Sequence, residues 1–427
     1  METSSNRDTT RKTAKRKILT TSIFWTLVAV VALNLLFPLV DPTASIDPAK
    51  LPSRHTWEWW RTRSFLQAKK SPDVVVLGSS LVMIPLAVQD ADYLNKDLDA
   101  VHHPQSIYMQ DRLKESLGAG GNFQCFNFGL PGGMVSDDYM IARALLTGAH
   151  KPKVVVLGLT LRDFIENHVP CAAATGTFKY FQHFFPIDDL VAMAMPQFWQ
   201  RFEYGMGRLF SLWGKRLELQ LVSSSWLTNR INPALNDLGA PVKVNPVDAT
   251  EIRDNLAQKL KTVAEEGDFI LKAHQFYPYE DNSNEYRKRL KSSNAELFRT
   301  ETLFLDKLLS LLAEQGTQVV IVNMPLTEKN MELMPPGSYQ SYRAVVQQAC
   351  NKFKVDFVDL NDGKQFVTAD FRDTAHMNSQ GGRKLIDDIV AAIGSDKKLQ
   401  ASLTSQSQYT DKPAESKATA SSASPPL

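Results

Sequence analysis

Five short runs rich in β-branched or aromatic residues constrain this chain more than any other feature: VVVLG (74–78), FQCFNFG (123–129), VVVLGLT (154–160), VVIVNMP (319–325) and DFVDL (356–360). Each is apolar almost throughout rather than alternating, the pattern of a strand covered on both faces. Helical patterns separate them: DDYMIARALLTGAH before the third, ETLFLDKLLSLLAEQG before the fourth and SYRAVVQQACNKFK before the fifth. Such alternation predicts an α/β layered fold with a largely parallel central sheet. With 427 residues, 43% of them hydrophobic, the chain has material for one large core or two modest ones.

The N-terminus adds a second constraint. Arg11, Lys12, Lys15, Arg16 and Lys17 precede ILTTSIFWTLVAVVALNLLFPLV (18–40), which carries no charge. A helix rising about 1.5 Å per residue over that run spans the roughly 30 Å hydrocarbon layer. The run exceeds the apolar core of a cleaved secretion signal, about 7–15 residues, and no A-x-A site follows it; cleavage is the alternative reading. The expectation is a single-pass transmembrane helix contacting the bilayer through 18–40. The basic tail 1–17 is then cytoplasmic and the main domain extracytoplasmic, in the periplasm or at the cell surface.

Residues 41–70 read as a juxtamembrane stem, with prolines in DPTASIDPAKLP and then a short amphipathic helix. Trp57, Trp59 and Trp60 there suit either the headgroup layer or packing under the globular domain. The α/β domain is expected over 71–395, interrupted at about 166–295 by a mostly helical insertion. The insertion's Phe198, Trp199, Phe202, Tyr204, Phe210 and Trp213 suit helix packing, the alternative being an apolar face turned to the membrane or a partner. Residues 396–427, rich in Ser, Ala, Thr, Lys and Gln, read as a disordered tail.

Several function classes are disfavoured. A net charge of +2 and the lack of a basic patch interleaved with aromatics argue against nucleic acid. Cys125, Cys171 and Cys350 have no C-x-x-C spacing and are too few for a disulfide framework, although one pair could bridge. Cys125, inside FQCFNFG, reads as a core residue. No clustered His/Cys spacing suggests a metal, and no cofactor is expected.

In parallel α/β sheets, ligands bind beyond the carboxyl ends of the strands. There the sequence offers Gly78-Ser79-Ser80 after the first strand, Asn127 to Gly133 (NFGLPGG) after the second, Thr160, Arg162 and Asp163 after the third, and Asn323, Pro325 and Thr327 after the fourth. Beyond the fifth comes FRDTAHMNSQGG, with Asp373 and His376 three residues apart. That spacing lets a carboxylate fix one imidazole nitrogen while the other points away, and a serine on the free nitrogen becomes a usable nucleophile. The structural alternatives are that Ser80 only caps a helix, that Asp373 caps the final helix, and that His376 faces solvent.

At these residues the chain resembles the SGNH, or GDSL-type, hydrolase and acyltransferase superfamily. Gly78-Ser79-Ser80-Leu81 is similar to its Gly-Asp-Ser block, with Ser in place of Asp, and Asp373-Thr374-Ala375-His376 is similar to its Asp-x-x-His block. The resemblance implies a flavodoxin-like three-layer sandwich and a Ser80–His376–Asp373 triad. It also implies an oxyanion hole from the N–H groups of Ser80 and Gly129, with Asn127 as a further donor. The family's Gly-x-Asn-Asp block is where this sequence departs: Gly158, Thr160, Arg162 and Asp163 occur without an asparagine. Arg162 and Thr160 are then candidates for substrate binding, Arg162 suiting an anionic substrate, or Asp163 pairs with Arg162. The departure, with the anchor, resembles membrane-anchored SGNH-like proteins that work with acyl-exporting membrane partners in polysaccharide O-acetylation and teichoic-acid D-alanylation. The implied substrate is an acylated saccharide or another envelope ester. A catalytically inactive SGNH-fold binding or scaffold module is the competing expectation.

Overall fold

Local sequence sets the strands described by a computed structural model of residues 5–40, 56–118, 123–182, 184–237 and 269–405, with side chains in the first helix described from Thr21. They are β1 (Val74–Gly78), β2 (Leu98–Asp99), β3 (Cys125–Asn127), β4 (Val154–Leu159), β5 (Ile270–Leu271), β6 (Gln318–Asn323) and β7 (Asp356–Asp359). Five of them form one parallel sheet in the order β3-β1-β4-β6-β7, and β2 pairs antiparallel with β5. Counted along the chain, the large sheet runs 2-1-3-4-5, the flavodoxin order, whose reversal point lies beside β1. The fold is therefore α/β with a parallel central sheet, compatible with a three-layer sandwich.

Strands β1 and β4 are buried along their whole length, as their unbroken apolar runs require, whereas the edge strand β7 is part-exposed. The helices pack in two groups. Helix Ser80–Tyr93 lies against Ile107–Leu117 and Ser379–Ser395; helix Ala295–Glu314 lies against Val135–Leu145 and Ser338–Phe353.

Close approach at glycine brings the first group together. A Cβ on Gly382 would lie 2.3 Å from the Pro85 carbonyl oxygen, so the helices Ser379–Ser395 and Ser80–Tyr93 touch backbone to backbone. Gly78 is needed for a similar reason: its φ is +137°, and a Cβ there would meet the Gly158 carbonyl at 2.6 Å. Gly382→Ala is expected to cost about 1–3 kcal/mol in denaturant unfolding, because the clash is with backbone that has no rotamer to yield.

The described residues fall into two compact units. One contains the N-terminal helix Ser5–Val40 with the helices Phe198–Leu209, Ser211–Gly214 and Arg216–Asp237; the other contains the α/β sheet. The expected insertion at 166–295 is therefore divided, its flanks belonging to the α/β unit. Trp57 and Trp59, on the helix Trp57–Leu66, are 6% and 4% exposed within that unit, so packing rather than a headgroup layer explains them.

The α/β unit also runs past the expected limit at 395. Asp396 caps a helix Lys397–Thr404 by accepting the Lys398 and Leu399 N–H groups, and Leu399 and Leu403, one turn apart, are buried. The tail beyond 405 and the stem over 41–55 lie outside the described residues. The expected span 18–40 lies within the single helix Ser5–Val40. Among the described residues no helix is long and apolar enough to cross a membrane. Cys125, Cys171 and Cys350 are all buried, and no disulfide joins Cys125 to Cys350.

Candidate active site

The chain leaves β1 at Gly78 and starts a helix two residues later. Ser79, 1% exposed and extended, is the N-cap: its Oγ accepts the Leu81 N–H at 3.5 Å. With capping done by Ser79, Ser80 occupies the first helical position, part-exposed, and its Oγ lies 2.9 Å from His376 Nε2. The capping alternative for Ser80 is thereby replaced by the neighbouring serine.

His376 comes from the turn ahead of the last long helix. That helix is capped by Asn378, which accepts the Gly381 N–H at 3.1 Å and donates to the Ala369 carbonyl at 2.7 Å, so Asp373 is not its cap. Asp373 Oδ1 instead accepts the N–H groups of Ala375 and His376 at 2.8 and 2.7 Å, closing a tight turn. Its Oδ2 lies 2.8 Å from His376 Nδ1. Burial acts to raise the Asp373 carboxyl, but its interactions with the His376 ring and the two backbone donors outweigh it and hold the group below its ordinary value. An ionised Asp373 places the ring proton on Nδ1, which leaves Nε2 to accept the Ser80 O–H.

Two segments brace this turn that sequence reasoning did not single out for it. From one side, Asn282 Oδ1 accepts the Thr374 N–H and hydroxyl, and the Glu280 N–H donates to the Arg372 carbonyl at 2.8 Å. From the other, the Thr327 hydroxyl donates to the Thr374 carbonyl at 2.7 Å, and Asn330 Nδ2 donates to Thr374 Oγ1 at 3.2 Å. Only Thr327 carried a signal, its place after a strand.

The loop after β3 differs from the expectation. Asn127 is fully buried; its Oδ1 accepts the Gly129 N–H at 3.1 Å and its Nδ2 donates to the Met83 carbonyl at 3.1 Å. Asn127 and Gly129 thus form an Asx turn and are not open donors. Gly129 is a glycine because a Cβ there would lie 2.9 Å from the Met83 nitrogen. Further along, the Leu130 N–H donates to Gly78, the Gly133 N–H to Leu130 and the Met134 N–H to Asp137. Gly132 stands apart. It is exposed at φ +75° with open space around it, and its N–H has no partner among the described residues.

Arg162 and Thr160 are likewise committed, which corrects their expected role in substrate binding. Arg162 is 5% exposed; its guanidinium donates to the carbonyls of Gly132 and Gly133 at 3.3 and 2.6 Å and to Asp163 Oδ1 at 2.6 Å, with Glu166 3.6 Å away. Burial acts to lower its pKa, but the Asp163 and Glu166 carboxylates hold it above the ordinary arginine value. Thr160 gives both its N–H and its hydroxyl to Asp163 Oδ2. The two residues form a buried clamp that fixes the glycine loop. Beneath it lies Asp138, pushed well above the ordinary carboxyl range by burial and by Asp163 and Asp137, against the opposing N–H of Gly78.

Among the described residues no group of three or more His, Cys, Asp or Glu side chains is placed to hold a metal. What the arrangement can do is remove a proton from a part-exposed serine whose own backbone N–H, at the start of its helix, has no partner among the described residues. No family model matches the chain, and no curated protein matches it.

Proposed function

We propose that this chain is a membrane-anchored, extracytoplasmic SGNH-like serine acyltransferase or esterase acting on acyl groups of cell-envelope saccharides. One observation carries the reading: residues 296 positions apart meet as Ser80 Oγ to His376 Nε2 at 2.9 Å, with Asp373 on the other ring nitrogen. The flavodoxin strand order, with Ser80 at its reversal point, supports the family resemblance. Helix Ser5–Val40 supports an anchor over 18–40: the run is uncharged, and Ile23, Phe24, Trp25, Leu27 and Leu39 are exposed, an apolar surface suited to lipid. That anchor suits work beside a membrane partner that exports acyl groups.

In the reaction, His376 Nε2 takes the Ser80 proton while Ser80 Oγ bonds to the acyl carbonyl carbon. The carbonyl oxygen becomes an oxyanion met by the Ser80 N–H at the start of its helix; one such donor is worth about 3–4 kcal/mol in a transition state. His376 then returns its proton to the departing alkoxide, leaving Ser80 acylated. An incoming hydroxyl, from water or a saccharide, gives its proton to His376 and attacks the acyl carbon; the bond to Ser80 Oγ breaks and His376 passes that proton to Oγ, restoring the serine. The Asp373 carboxylate stabilises the imidazolium in both halves.

The test is turnover by the full chain in detergent with p-nitrophenyl acetate and with an O-acetylated oligosaccharide. Release of p-nitrophenol, loss of that activity after a serine-reactive phosphonate, and partition of the acyl group toward added saccharide hydroxyls are expected. No turnover of either ester by folded protein overturns the reading in favour of a non-catalytic envelope module.

A further inference from the structure

We propose that Arg372, stacked on Tyr277, forms a subsite for an anionic group of the substrate beside the His376 imidazole. This deepens the acyl-transfer reading and rests on it for the identity of the neighbouring reaction.

The placement follows from a short antiparallel pairing. Phe371 pairs with Met377, and the Arg372 N–H donates to the His376 carbonyl at 2.9 Å, so Arg372 stands opposite His376. Phe371 and Met377 are 2% and 0% exposed and point into the core. Alternation then sends Arg372 and His376 out together on the opposite face, with Cβ atoms about 5 Å apart. The Arg372 side chain therefore starts beside His376 and runs to the Tyr277 ring.

Its surroundings leave it a task. Arg162 is locked on carbonyls and carboxylates, and Arg289 pairs with Glu166 and Glu285; Arg372 is part-exposed and has no carboxylate within ion-pair distance among the described residues. Its guanidinium lies 4.4 Å from the centre of the Tyr277 ring, a contact that holds the fork in place while leaving its N–H edge for a ligand. Phe276 and Tyr279, 85% and 37% exposed, flank Tyr277 in the segment whose Glu280 is bonded to Arg372. An aromatic ring against a cation, in a segment with further exposed rings, matches an anionic carboxylate or phosphate group on a chain whose sugar faces can stack.

Binding is read in the full chain carrying Ser80→Ala, by calorimetry in detergent. The probes are a galacturonate oligosaccharide, a glycerol phosphate oligomer and a neutral malto-oligosaccharide. An anionic probe is expected to bind more tightly than the neutral one, and adding Arg372→Gln weakens that binding on the order of 10- to 100-fold. Arg372→Lys recovers part of the loss. Raising salt weakens the anionic complex when Arg372 is present and much less in Arg372→Gln. The tighter anionic probe tells carboxylate from phosphate. Tyr277→Leu, which removes the ring support without touching the charge, is expected to weaken the same complex and serves if Arg372→Gln does not fold. Equal binding of anionic and neutral probes, or anionic binding unchanged by Arg372→Gln and Tyr277→Leu, overturns the proposal. Because no turnover is involved, that result is separate from failure of the serine chemistry, which the ester assay reads.

Discussion

Ser80→Ala is expected to reduce ester turnover by about 10⁴- to 10⁶-fold while leaving the unfolding midpoint within error of the parent chain. The separation of the two effects comes from the division of labour between adjacent serines. Ser79 is buried and caps the helix through its Oγ, whereas the Ser80 side chain bonds His376 Nε2. Alanine at the first helical position keeps the helix start intact. The converse variant, Ser79→Ala, is expected to lose about 1 kcal/mol of stability as a missing cap. Steady-state kinetics with p-nitrophenyl acetate and denaturant unfolding, run on both variants, check the pair; a Ser80→Ala chain that retains turnover would remove Ser80 as the nucleophile.

Asp373→Asn is expected to lower kcat by about 10³- to 10⁴-fold through the tautomer of the ring. The carboxylate accepts from Nδ1 and from two backbone N–H groups, and an asparagine can keep the backbone bonds through its Oδ1. Its amide then points a donor at Nδ1, the ring proton moves to Nε2, and the base that Ser80 needs is gone. Stability also responds, with a definite sign. The Asp373 carboxyl titrates below its ordinary value in the fold, so its stabilisation is present above about pH 4 and is lost as pH falls through the lowered folded value. The amide in Asp373→Asn cannot titrate, so the variant's unfolding free energy is expected to fall less between about pH 5 and pH 3 than that of the parent, as read in denaturant titrations at each pH.

Much of the sheet was legible because both-face burial leaves an unbroken apolar run. VVVLG gave β1 residue for residue, and VVVLGLT gave β4 one residue long. FQCFNFG was less faithful: the strand covers only Cys125–Asn127, since the Asn127 side chain turns the backbone toward Gly129. The hydrogen-bonded juxtaposition of Ser80, His376 and Asp373 was legible for a related reason. A three-residue Asp-to-His spacing and a serine at a strand end are local signals, and packing of the helix Ser379–Ser395 on Ser80–Tyr93 brings them together. Arg162 and Gly129 were not legible in their actual roles. A guanidinium that looks available in sequence is locked here by two loop carbonyls some 30 residues earlier in the chain, and a glycine that looks like an anion donor is required by close contact with Met83. Those partners exist only once the helix and the loop are packed. Helix Lys397–Thr404 was hidden by its composition, because its two buried leucines sit among polar residues.

The central claim is that Ser80 is a nucleophile activated by His376. It is tested most directly by treating the full chain with a fluorophosphonate, digesting it and mapping the adduct by mass spectrometry. The adduct is expected on Ser80, absent in Ser80→Ala and strongly slowed in His376→Ala. An adduct on another residue, or equal labelling of all three chains, would contradict the account.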